Sequence, residues 1–163
     1  MNTLVFTVVI GAGATSLMDC WAIARRRLLG VPLPDYGLLG RWLAHMALSG
    51  RFRHDRIAAA TAVRGELALG WAAHYLIGVS FAALLVGIWG RAWLLQPAIG
   101  PALLVGLGTS AAPFLLMQPG MGGGIAASRT PRPGAARLQT LVTHTIFGLG
   151  LYAAGQAIRV FFA

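Results

Sequence analysis

Residues 67–89 read LALGWAAHYLIGVSFAALLVGIW, 23 residues without a charged side chain. As a helix rising 1.5 Å per residue, such a run is about 35 Å long, enough to cross a hydrocarbon core of about 30 Å. Its one strongly polar interior residue is His74. Arg91 and Trp93 follow at a membrane interface, and Pro97 and Pro101 mark a turn. Three further runs match it: residues 4–24, 98–117 and 138–157. The first carries a single charge, Asp19, and is stopped by Arg25, Arg26 and Arg27. No basic segment precedes it and no clear small-x-small cleavage site follows, so it reads as a retained helix and not a leader peptide. The third starts with Pro101 in its first turn, where a missing N–H costs little. Pro113 lies inside it and predicts a kink, because its ring removes the bond to the Thr109 carbonyl. The hydroxyls of Thr109 and Ser110 stand close enough in sequence to satisfy part of what is freed. The fourth contains His144.

Composition supports the same class. The chain has 163 residues, of which 57% are hydrophobic and 10% charged, against roughly 25% charged in ordinary soluble domains. Mean hydropathy is +0.71. A soluble globule of this size lacks the polar surface it needs, so a cytosolic enzyme, a disordered chain and a secreted disulfide scaffold are excluded. The 13 basic residues are all Arg, against 4 acidic ones, for a net charge of +9. Without Lys there is no Schiff-base or pyridoxal-phosphate lysine and no Walker A loop. The arginines flank apolar runs, which is a membrane pattern, and nucleic acid is not expected as a partner. Cys20 is the one cysteine, so no internal disulfide and no Cys-x-x-Cys site can form.

Eight arginines lie in residues 25–66 and three more, Arg129, Arg132 and Arg137, follow the third run. The positive-inside rule then puts these two loops in the cytoplasm and both termini outside. Within the first loop Leu38, Leu39, Trp42, Leu43 and Met46 recur at helical spacing beside Arg41 and His45. Either a helix lying on the membrane surface or one packed on the protein's own loops would produce this pattern. Residues 118–137, QPGMGGGIAASRTPRPGAAR, form a Gly/Pro-rich loop. No internal repeat is evident. The expected fold is all-α: one transmembrane domain, a four-helix bundle with a cytoplasmic amphipathic segment and a Gly/Pro-rich cytoplasmic loop.

With this orientation Asp19, His74 and His144 fall at one depth, roughly 7–11 Å inside the cytoplasmic edge. Glu66 and Gln118 lie slightly nearer that edge. Ala12, Asp19 and Arg26 share a helical stripe, with Thr15 and Ser16 beside it. Arg137, His144, Leu151 and Gly155 share another, and Gly70, Gly78 and Phe81 neighbour His74. Ionisable groups are costly in lipid and usually face the bundle interior, where they pair. Two imidazoles and a carboxylate are a donor set for a divalent metal, and two imidazoles can ligate a haem. The same groups can relay a proton. Interhelical hydrogen bonds that only fix register would place the same residues there. No His-Glu-x-x-His or Glu-x-x-His spacing is present.

The run Gly122-Gly123-Gly124-Ile125-Ala126-Ala127 fits G-x-G-x-x-A, but a membrane helix precedes it where a dinucleotide site needs a strand. Its physical content is a glycine-rich loop followed by Ser128, Arg129 and Thr130. Gly122, Gly123, Ser128 and Arg129 are therefore candidates for holding a phosphate or a lipid headgroup. A tight turn that allows close packing is the plainer alternative. Cys20, beside Asp19, is a soft ligand type, though a buried inert Cys is commoner.

The runs GAGATSLMDCWA (11–22), GVPLPDYGLLGRWLAHM (30–46), GRFRH (50–54), GELALGWAAHYLIG (65–78), PFLLMQPGMGGGIAASRTP (113–131) and HTIFGLGLY (144–152) resemble a bacterial family of small inner-membrane proteins known only as a domain of unknown function. The resemblance implies a bacterial source and a multi-pass inner (plasma) membrane location, and it assigns no role to any residue. Two functional expectations stand. The first is a binding or transport protein whose Asp19, His74 and His144 layer holds a metal, a haem or a proton. The second is a structural accessory subunit, with other membrane subunits and the lipid bilayer as its partners. No acid/base pair or activated nucleophile points to an enzyme, and no catalytic residue is assigned.

Overall fold

Helix α1 (Thr3–Leu29) starts where the Asn2 side chain accepts from the amides of Leu4 and Val5, at 3.1 and 3.4 Å. It ends at Gly30, which turns left-handed and returns its amide to the Arg26 carbonyl. Arg26 and Arg27 fill the last turn, where cations suit the negative end of the helix dipole. Asp35 caps α2 (Tyr36–Ser49) through the Gly37 amide at 2.9 Å. Helix α3 (Glu66–Leu95) is regular up to Trp89 and breaks at Gly90, whose φ of 66° and ψ of −166° are not helical. Helix α4 spans Ile99–Gly108, with Pro101 in its first turn. The expected disturbance at Pro113 takes the form of a wide π-helical turn over Pro113–Met117, continued by the short α5 (Gln118–Met121). The Thr109 hydroxyl bonds back to the Gly106 carbonyl at 2.8 Å, and the Phe114 amide reaches the Ser110 carbonyl at 3.1 Å. Helix α6 runs Pro133–Phe162 and so begins inside the segment expected to be a loop. The computed structural model describes residues 2–162, with side chains through residue 161, and contains no strand among them.

Four stretches are long and apolar enough to cross a membrane: Thr3–Leu29, Glu66–Leu95, Ile99–Met121 and Pro133–Phe161. Of the most apolar window in the second, only 17% is buried inside the protein. Leu4, Leu76, Ile88 and Leu104 are each more than half exposed. A soluble protein could not carry so much outward apolar surface. The chain is a multi-pass membrane protein.

The chain divides into two compact units. The first comprises Met1–Leu33, Tyr75–Thr109 and Val142–Ala163. Its core joins Ile10 and Ala14 of α1, Ala82 and Leu85 of α3, Ala102 and Val105 of α4, and Phe147 and Leu151 of α6. Small residues set how close these helices come. A Cβ on Gly106 would stand 2.6 Å from the Gly148 Cα and 2.7 Å from the His144 carbonyl. In lipid, where water drives no association, such backbone contact is a main source of helix–helix attraction.

The second unit comprises Pro34–His74 and Ser110–Leu141. Its core is Leu39 and Trp42 of α2 with Ile57, flanked by Met117 and Met121. Of the two expectations for the amphipathic segment, α2 realises the packed one. Trp42 is 5% exposed and donates through Nε1 to the Phe52 carbonyl at 2.8 Å.

Two alanine substitutions in α4 should act in opposite directions. Gly106→Ala forces α4 and α6 apart and should cost about 1–3 kcal/mol. Gly108 faces open space, so Gly108→Ala should gain up to about 1 kcal/mol from helix propensity. Thermal unfolding of both variants in detergent measures the pair. Equal effects would show that the glycine contact does not hold α4 to α6.

Candidate functional site

Each member of the expected polar layer has a partner in its own unit. In the first unit the Tyr75 hydroxyl donates to Asp19 Oδ2 at 3.1 Å and stands 3.2 Å from Ser16 Oγ. His144, also there and buried, lies with Nδ1 3.1 Å from the Gly106 carbonyl and 3.2 Å from Thr109 Oγ1. A carbonyl only accepts, so this contact requires the proton on Nδ1. In the second unit His74 Nε2 stands 3.0 Å from the Tyr36 hydroxyl, and the two rings stack at 4.2 Å. Tyr36 also lies 4.4 Å from the Trp71 ring. Among the described residues no group of three or more His, Cys, Asp and Glu side chains converges to hold a metal. Cys20 is exposed.

The two outer polar neighbours, Glu66 and Gln118, serve the second unit. Glu66 receives a two-pronged bond from Arg41, Nε to Oε2 at 2.8 Å and Nη2 to Oε1 at 2.7 Å. Glu66 Oε2 also accepts the Val63 amide at 2.9 Å, while Arg41 Nη1 donates to the carbonyls of Ala58 and Ala60 at 3.2 Å. One guanidinium thus ties α2, the 57–63 segment and the start of α3 together. Hydrogen bonding to Glu66 raises the Arg41 pKa above its ordinary value. Gln118 Nε2 donates weakly to Thr140 Oγ1 at 3.4 Å, and its Oε1 is buried without a partner among the described residues.

The same unit holds a cleft of about 810 Å³. Arg51, Arg53, His54, Asp55 and Arg56 line it from one loop, and Pro119, Gly124, Ile125, Ser128 and Arg129 from the other. Backbone contacts bring the two loops together. The His54 amide donates to the Gly120 carbonyl at 2.8 Å. Gly122 has a φ of 98°, and a Cβ there would overlap the Asp55 carbonyl, so only glycine permits this approach. The Gly122 amide turns to the Pro119 carbonyl at 3.3 Å and the Gly123 amide to the Gln118 carbonyl at 2.7 Å. These amides cap α5, and of the four loop candidates it is Ser128 and Arg129 that face the cleft. Ala126 and Ala127 both adopt left-handed φ values, 48° and 60°. Arg137 Nε donates to the Ala126 carbonyl at 2.8 Å and holds that turn.

The cleft therefore presents four guanidiniums against one carboxylate. Among the described residues none of the four is ion-paired or hydrogen-bonded through its side chain. His54 contributes a buried Nε2 with no partner among the described residues. Chemically such a set is able to hold an anion rich in oxygen acceptors, since each guanidinium offers a planar fork of donors. Counting arginines assigned a side of the membrane but could not place Arg51, Arg53 and Arg56 around one cavity. The signal was the run GRFRH, which concentrates Arg51, Arg53 and His54 within five residues.

A family model described as "Protein of unknown function (DUF2938)" matches residues 8–158. The chain belongs to the DUF2938 family. The matched stretch takes in both loops of the cleft and every residue of the polar layer. No curated protein and no solved structure matches this DUF2938 chain.

The Arg41–Glu66 fork should matter by its shape as well as its charge. Arg41→Lys keeps the cation but cannot span both carboxylate oxygens and two carbonyls. Both Arg41→Lys and Arg41→Ala should lower the thermal midpoint in detergent, Arg41→Ala more. A lysine variant as stable as the parent would mean that charge alone suffices.

Proposed function

We propose that this protein is a multi-pass binding protein of the inner (plasma) membrane of bacteria that captures a phosphate-bearing anion on its cytoplasmic side. The observation that carries the reading is the cluster of Arg51, Arg53, Arg56 and Arg129 around one cleft, with no side-chain partner for any of them among the described residues. Placing four like charges together opposes folding, and a bound anion offsets the repulsion. The cytoplasmic assignment is supported by the eleven arginines that lie in residues 25–66 and 129–137. In this reading Asp19, His74 and His144 are anchors. Each places a polar group where a neighbouring hydroxyl or carbonyl satisfies it, which fixes helix register.

The test uses the full chain in detergent with two probes, pyrophosphate and vesicles of an anionic phospholipid. At least one probe should bind, weaken as salt is raised, and lose about tenfold or more in affinity in an Arg53→Ala, Arg129→Ala double variant. If neither probe binds in a way that depends on these arginines, the reading is wrong.

A further inference from the structure

We infer that the anion taken by the cleft is the headgroup of a membrane lipid that ends in a terminal, dianionic phosphate. The inference rests on the anion-binding reading of the same cleft and adds the source and the class of the ligand.

The source follows from where the cleft meets the apolar surface. Pro119, one of its lining residues, belongs to the last turn of the third apolar stretch, Ile99–Met121. Leu115 and Leu116 precede it by about one turn of the same segment and are 58% and 54% exposed. Ile125, on the other side of Pro119 in sequence, also lines the cleft and is 58% exposed. An apolar path therefore leads from the lipid-facing side of a membrane helix to the arginines. A soluble phosphate compound would leave those side chains in water. A lipid places its phosphate among the guanidiniums and its chains along Leu115, Leu116 and Ile125.

The class follows from charge. Four guanidiniums and one carboxylate leave an excess of positive charge that a phosphodiester, with a single negative charge, compensates poorly. A terminal phosphomonoester carries about −2 near neutral pH and three acceptor oxygens, enough to engage more than one arginine fork. The Ser128 hydroxyl adds a neutral donor at the same wall.

The experiment measures equilibrium binding of three probes to the full chain in detergent: dioleoyl phosphatidic acid, dioleoyl phosphatidylglycerol and glycerol 3-phosphate. Phosphatidic acid should bind about tenfold or more tightly than either other probe. Arg53→Ala with Arg129→Ala should abolish the preference over phosphatidylglycerol. Leu115→Ser with Leu116→Ser, which lie outside the cleft lining, should weaken phosphatidic acid while leaving glycerol 3-phosphate unchanged. Circular dichroism of each variant separates loss of binding from loss of fold, and Arg53→Lys, which keeps the cation, should retain part of the preference if the variant pair unfolds. Glycerol 3-phosphate binding as tightly as phosphatidic acid would overturn the lipid source and leave the anion-binding reading standing. Phosphatidylglycerol binding as tightly as phosphatidic acid would overturn the terminal-phosphate class. Arginine-independent behaviour of all three probes would overturn the anion-binding reading itself.

Discussion

Hydrocarbon offers no hydrogen bonds, and most of this structure follows from that one constraint. Four helices satisfy their own backbones, so the chain can cross a bilayer only in that form. Their side chains sort in a way opposite to that of a soluble protein, with large apolar groups such as Leu76 and Leu104 outermost. The interior packs Ile10, Leu85, Phe147 and Leu151 together with small residues and with polar groups that satisfy one another. The contact of α4 with α6 is an example in which both occur together. Gly106 lets the two backbones approach, and its carbonyl receives the imidazole of His144 and the hydroxyl of Thr109. Packing and polar satisfaction are one arrangement there.

The second unit is held by different physics. Its core is small, built on Leu39, Trp42 and Ile57. A core of this size gains from specific polar contacts, and the Arg41 fork supplies them to three segments at once. Trp42 adds a further one by donating to the Phe52 carbonyl. Held in this way, the segment that follows Phe52 can direct Arg53 and Arg56 into the cleft. The charged wall thus depends on an ion pair that takes no part in it. The carboxylate of that pair, Glu66, is the first residue of α3, so the start of a membrane helix and the shape of the cleft share one side chain.

Much of this organisation was legible in the sequence because hydropathy acts over whole helices. The uncharged run 67–89 corresponds to α3 as far as the break at Gly90. The glycine and proline signals correspond to caps, the π-helical turn and the tight loop at 122–127. Partner choice was far less legible. Helical phase and depth grouped Asp19, His74 and His144 because they are the intramembrane residues that can ionise. Their partners turned out to be Tyr75, Tyr36, Thr109 and a backbone carbonyl. Tyrosine and threonine are common in apolar runs and carry no sign of which neighbour they will meet. The cleft was harder still, because the arginines of residues 51–56 and Arg129 are more than seventy positions apart in sequence. The His54–Gly120 bond, the close approach at Gly122 and the packing of Met117 and Met121 on Trp42 and Ile57 bring them together.

The paired left-handed alanines have a consequence for recognition. Non-glycine residues in that region cost of order 1–3 kcal/mol each, and the cost is met when the chain folds. Ala126 and Ala127 are held there by the Arg137 bond to the Ala126 carbonyl, immediately before Ser128 and Arg129. The backbone beneath these two side chains is thus already ordered before any ligand arrives. Little loop entropy remains to be lost on binding, and what is left to freeze is chiefly the rotamers of four long side chains. The frame of the cleft is thus fixed along this wall, while its four arginine tips keep their rotameric freedom.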